Sequence, residues 1–149
     1  MSLSNSAESD LLSLIFKNTT WAGVGDVTGL VGSGTAGSLY IALHTADPGE
    51  GGTQSTSEAT YTSYARVAVA RSGAGWTVSG TAPTQVANAA AVTFPMATGG
   101  TNTLTYFSVG VASSGANEII VSGALTSSLA VSTNITPSFA IGDLTVTCD

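Results

Sequence analysis

Residues 39–52 read LYIALHTADPGEGG, and this stretch decides the fold class. Leu39, Ile41 and Leu43 recur at every second position, the period of a strand with one face turned to a core. Tyr40, Ala42 and His44 then point to the opposite face. Asp47-Pro48-Gly49 ends the run in a turn, because proline presets the first central φ and glycine accepts a positive second one. The same stretch holds the chain's only histidine, His44, ahead of Asp47 and Glu50. It therefore also asks whether a catalytic or metal-binding loop is present.

Outward from this strand, short period-two or apolar runs alternate with Gly, Ser, Asn, Asp and Pro. The pattern predicts strands near 39–45, 64–71, 75–79, 89–95, 104–112, 118–126, 128–132 and 143–148. Trp76 and Val78, Val92 and Phe94, and Leu144 and Val146 each share a face. Strands without crossover helices cannot make a parallel sheet. The expected fold is all-β, an antiparallel β-sandwich, with jelly-roll connectivity suggested by the strand count. Residues 46–63 form a loop too long for a tight hairpin.

One segment has helical character. In AESDLLSLIFKN, Leu11, Leu12, Ile15 and Phe16 form an apolar stripe, edged by Leu14, which predicts a short amphipathic helix over about 7–17. Ser6 or Ser9 can cap it, Glu8 and Asp10 load its first turn, and Lys17 sits in its last. Residues 22–38 form a Gly-rich linker. The expected organisation is thus an N-terminal helix and linker, or arm, over 1–38 and a β-sandwich domain over 39–149. The stripe has two possible uses: packing on its own domain, or docking on another subunit or a capsid surface. For the second use the candidate interface is Leu11, Leu12, Ile15, Phe16 and Trp21.

Composition excludes several function classes. The 149 residues carry three Lys or Arg and nine Asp or Glu, a net charge of −6. Three cations cannot build the basic stripe that neutralises phosphates, so neither nucleic acid nor an anionic membrane is an expected partner. No apolar run approaches the roughly 20 residues of a membrane span, and the N-terminus lacks the pattern of a secretory signal. Cys148 is alone, so no intrachain disulfide can form. Synthesis and assembly in the cytoplasm are expected.

Chemistry is tested residue by residue. A zinc site needs three or four His, Cys or carboxylate ligands, and one histidine with one distant cysteine is no such set. The spacing of a calcium loop is also missing. A serine hydrolase would have to use His44 as its base, and no Gly-x-Ser-x-Gly elbow occurs. Gly32-Ser-Gly34-Thr-Ala-Gly37 matches the dinucleotide fingerprint literally, yet it precedes a strand instead of opening a helix. No carboxylate pair is marked by its spacing. His44 reads as a polar residue at a strand end, no cofactor is expected, and the chain is not expected to be an enzyme.

What stands in place of charge is small neutral surface: 20 Ser, 22 Thr and 18 Gly, which with alanine exceed half of the chain. A β protein ordinarily guards its edges with lysine, proline or a covering helix. Here the single lysine lies in the helix, so the edges are expected to be covered within an assembly.

The phrases LYIALHTADPGEGG, YARVAVAR, AVTFPMATGG, TYFSVGVA, SGALTSSLAV and TPSFAIGDLTVTCD resemble a family of small tailed-phage structural proteins, labelled as tail-fibre-like or as capsid cement or decoration proteins. The resemblance implies a jelly-roll β-sandwich that binds the exterior of a virion capsid as a homodimer or homotrimer. Its implied partner is the major capsid protein, and its implied role is to lock neighbouring capsomers. The alternative is a tail or fibre component that binds a host surface receptor. The long loop offers only Tyr61 as an aromatic, which favours cement.

Overall fold

The computed structural model describes residues 3–81 and 83–148. The chain divides into two compact units that interleave in sequence. One comprises Met1–Ser38, Ala70–Ala91 and Phe139–Asp149, the other Leu39–Val69 and Val92–Ser138. Both units draw on residues 39–149.

The first unit contains helix α1 (Asn5–Lys17) and the sheet β3 (Trp76–Ser79), β4 (Thr84–Asn88) and β9 (Thr145–Cys148), in the order β3-β4-β9. Both ladders are antiparallel, with Val78 opposite Val86 and Val86 opposite Val146. The helix starts two residues before the expected position. Ser4, in extended conformation, accepts a hydrogen bond from the Ala7 N–H at 3.3 Å and is the N-cap in place of Ser6 or Ser9. Several serines in this stretch can cap, and propensity alone does not choose among them. Asn18 closes the helix in the left-handed region at φ 58°.

Leu12 and Phe16, four residues apart, are buried on the sheet side of α1. Phe16 meets Trp76 edge to face, with centroids 4.9 Å apart, a geometry worth about 0.5–1.5 kcal/mol beyond the area it buries. Arg71 fixes the far end of the helix. Its Nε donates to the Ile15 carbonyl and its Nη2 to the Leu14 carbonyl, each at 2.6 Å. A cation here also faces the negative end of the helix dipole.

The Gly-rich linker is not a free tether. Trp21 and Leu30 exchange two backbone hydrogen bonds of 2.9 Å. The Asp26 carboxylate accepts from the N–H groups of Thr28 and Gly29, and these bonds lower its pKa. The Asn18 side chain both donates to and accepts from the backbone of Ser33, at 2.7 Å in each direction. A glycine count reports backbone freedom but not the side chains that remove it.

Strand β4 was not expected; a strand over 89–95 was. The inward positions of β4 are Thr84, Val86 and Asn88, all buried, so two of the three are polar and no apolar alternation marks the strand. Asn88 makes the site tolerable. Its Nδ2 donates to the carbonyls of Ala90 and Ala140, and its Oδ1 accepts from the Leu144 N–H.

The second unit is built on the order β2-β1-β6-β7, from β1 (Ser38–His44), β2 (Val67–Ala70), β6 (Asn102–Gly110) and β7 (Ile119–Val131). β1 and β6 are antiparallel, as are β6 and β7. β5 (Val92–Thr93) and β8 (Ser138–Phe139) form a short two-stranded ladder. The two strands expected at 118–126 and 128–132 are one, β7. The fold is mostly β with antiparallel sheets and one short helix. Among the described residues no helix is long and apolar enough to cross a membrane.

Candidate functional site

β1 is buried on both faces from Ile41 to His44, not only on the face that its alternation turns inward, and His44 lies inside the protein. Its Nδ1 is 2.8 Å from the Thr56 carbonyl and its Nε2 is 2.8 Å from Ser108 Oγ. A carbonyl only accepts, so Nδ1 carries the proton, and Nε2 receives the Ser108 hydroxyl proton. Burial lowers the pKa of the ring and favours this neutral form.

A serine bonded to a histidine resembles part of a hydrolytic triad. Here it cannot act as one, because Ser108 and His44 are both fully buried and a main-chain carbonyl stands where an orienting carboxylate would be. The pair fastens the long loop to the sheet. Among the described residues no three His, Cys, Asp or Glu gather as a metal group.

A second and stronger fastening stands beside it. Arg66 Nε donates to Glu58 Oε1 at 2.6 Å and Nη2 to Oε2 at 2.8 Å, a two-pronged pair. The same guanidinium donates to the carbonyls of Ala112 and Gly115 and to Ser55 Oγ. Its bond to Glu58 raises the already high Arg66 pKa. The Tyr64 hydroxyl donates to Glu58 Oε1 and accepts from the Leu43 N–H, and burial pushes its pKa upward.

One cation therefore organises two loops, residues 45–63 and 111–118. Gln54, fully buried, completes the join. Its N–H donates to the Asn117 carbonyl and its Oε1 accepts from the Ala112 N–H. Gly110 is required here, because a Cβ would overlap the Gln54 side chain. The base of the long loop is held by Asn102, whose Oδ1 accepts from Thr60 and Tyr61 N–H groups at 2.8 Å each.

What this framework presents is a pair of ordered loop tips. Asp47, Gly49, Glu50 and Gly51 are exposed on one, and Ser113 to Glu118 on the other. Thr53 and Glu118 bridge them. The surface is small, polar and acidic, and its backbone is already ordered, which reduces the entropy cost of binding a partner.

The five residues singled out from the sequence lie elsewhere, in the first unit. Leu12 and Phe16 are buried within it, whereas Leu11, Ile15 and Trp21 are half-buried. Sequence reasoning missed Arg66, Glu58 and Gln54. One signal was available: Arg66 is one of only three cations in the chain and follows Glu58 by eight residues.

A family model described as podophage GP4 fiber I protein gp80 matches residues 2–147. The chain belongs to that family. Nearly the whole sequence is covered, so both units fall within the family match. A comparison with curated proteins finds no match. The chain is accordingly a phage structural protein, and the resemblance read from its turn phrases holds at that level.

Proposed function

We propose that the chain is a non-enzymatic fibre component of a tailed-phage virion, built to hold loops and surfaces in fixed positions for neighbouring virion proteins. The observation that carries this reading is the match of residues 2–147 to a fibre family. The chemistry supports it. His44, Ser108, Glu58 and Arg66 are the groups most suited to catalysis, and they are engaged in fastening loops.

Two surfaces can meet neighbours. One is the loop pair around Asp47, Glu50 and Glu118. The other is the residual surface of Leu11, Ile15 and Trp21, with the hairpin beyond Trp21, where Val27 is 97% and Val31 61% exposed. Exposed apolar groups on an ordered turn suit a protein partner.

This reading departs from the capsid-cement role favoured by the resemblance, in which the partner is the major capsid protein on the shell exterior. Labelling intact virions with an antibody to this chain, viewed by electron microscopy, separates the two. Label along a fibre is expected. Label spread over the head would overturn the fibre reading for cement, and virions without label would remove both.

A further inference from the structure

Buried side-chain atoms without a hydrogen-bond partner among the described residues gather in one layer of the first unit, between α1 and its sheet. They are Glu8 Oε2, Trp76 Nε1 and Thr84 Oγ1. Glu8, Leu12 and Phe16 stand four residues apart and share the face of α1 that Phe16 turns to Trp76. On the sheet, Trp76 pairs with Asn88 and Val78 with Val86. Thr84, two residues from Val86, is therefore on the same side as Trp76, the side that α1 covers.

The lengths of the two faces match. Glu8 is eight residues from Phe16, roughly 12 Å at helix rise. Thr84 is four residues from Asn88, the partner of Trp76, roughly 13 Å at strand rise. α1 packs on both β3 and β4, so with Phe16 on Trp76 a helix laid along these strands brings the Glu8 carboxylate to the Thr84 hydroxyl. Both residues are closed to solvent, at 2% and 1% exposure. Trp76 lies at the other end of the face, and its N–H can only donate.

A carboxylate taken out of water needs a counter-charge. Glu8 is in the first turn of α1, where the helix dipole favours a negative group, yet no cationic side chain answers it. Arg66 grips Glu58. Arg71 holds the carbonyls of Leu14 and Ile15 at the far end of the helix, and Lys17 is in the last turn.

We infer that Glu8 Oε2 and Thr84 Oγ1 bind a monovalent metal cation, sodium or potassium, between α1 and its sheet. Both ligands are oxygens, the donors that hard cations take. Charge selects the valence: one carboxylate balances one positive charge, whereas a divalent ion would leave a net charge buried beneath the helix. Leu12 and Phe16 hold α1 in place with or without the ion, which adds to the docking of its first turns. The site stands on the first unit alone and does not depend on the fibre reading.

Melting of the full chain in sodium, potassium or choline chloride at one ionic strength tests it. The melting temperature should rise, to saturation, as sodium or potassium replaces choline, since an ion held only by the folded chain stabilises it. The more effective ion is the occupant. Glu8→Gln and Thr84→Val should abolish the rise, and Glu8→Gln, relieved of the buried charge, should melt above wild type in choline. Asp10→Asn, on the same helix, should keep the rise. Equal melting of the wild-type chain in the three salts would overturn the proposal and leave a proton as the partner of Glu8. A rise that Glu8→Gln and Thr84→Val retain would overturn it as well. Crystals of the wild-type chain soaked in rubidium chloride should show an anomalous peak between Glu8 and Thr84, and a featureless map there is decisive against the site even where a variant misfolds.

Discussion

The two units solve the same problem, fixing irregular chain on a small sheet, by opposite means. In the first, a helix lays Leu12 and Phe16 on Trp76, and the polar groups beneath fare poorly. Glu8 Oε2, Trp76 Nε1 and Thr84 Oγ1 are buried with no hydrogen-bond partner among the described residues. In the second, the loops are held by Arg66, Glu58, Tyr64 and His44, each engaged by specific bonds. The contrast teaches that apolar contact tolerates some polar mismatch, whereas a buried ionic clamp depends on every partner. Removing one member of such a clamp leaves the other charged and desolvated.

The largest effect should therefore come from Arg66→Met, which strands the Glu58 carboxylate and releases the carbonyls of Ala112 and Gly115. A loss of about 3–5 kcal/mol is expected, and the melting temperature should fall by roughly 6–20 °C. Calorimetry checks the magnitude. Hydrogen exchange checks the place: protection should vanish first in residues 45–63 and 111–118. Uniform loss across both units would break the distinction drawn between them.

Phe16→Ala should cost about 3 kcal/mol through the cavity left against Trp76, and Leu11→Ala, at a half-buried position, well under half of that. Equal effects in urea titrations would mean that the stripe is covered more evenly than its burial indicates. Gly110→Ala follows, at about 1–3 kcal/mol for overpacking. A Cβ there displaces Gln54, so faster exchange of the Ala112 N–H should accompany the loss.

The smallest effect depends on pH. Burial holds the His44 pKa below its ordinary value of 6.5, so the unfolded chain binds a proton more readily than the folded one. The neutral ring's contribution is complete above pH 6.5 and declines as the pH falls through the folded value. Urea midpoints measured from pH 7.5 to 5 should decrease toward acid, and His44→Gln should flatten that slope. An unchanged slope would show that burial of the His44 ring gives its neutral form no advantage.

The same contrast explains what could be read from the sequence. Periodic apolar residues announced α1, β1, β3 and β9 to within two residues, because burial of one face leaves a pattern. β4 carried Thr84 and Asn88 inward and left none. The hairpin beyond Trp21 was hidden for a related reason: Asp26, Asn18 and Ser33 order it through side chains whose partners are set by tertiary position. His44 was placed at a strand end, where it is, but its burial depended on Ser108 and Thr56, which are distant in sequence. The candidate loop surface was visible only as a long loop, since its organiser, Arg66, acts across more than forty residues to reach Ala112 and Gly115.

The disposition of the cations has a consequence for survival outside a cell. A trypsin-like protease cuts after lysine or arginine and needs several residues of extended chain around the bond. This chain offers three such residues. Lys17 ends a helix, Arg66 is buried, and Arg71 holds the carbonyls of Leu14 and Ile15. Each bond is therefore closed until its surroundings open, and digestion by such an enzyme becomes a clock for opening of the clamp and of the helix end.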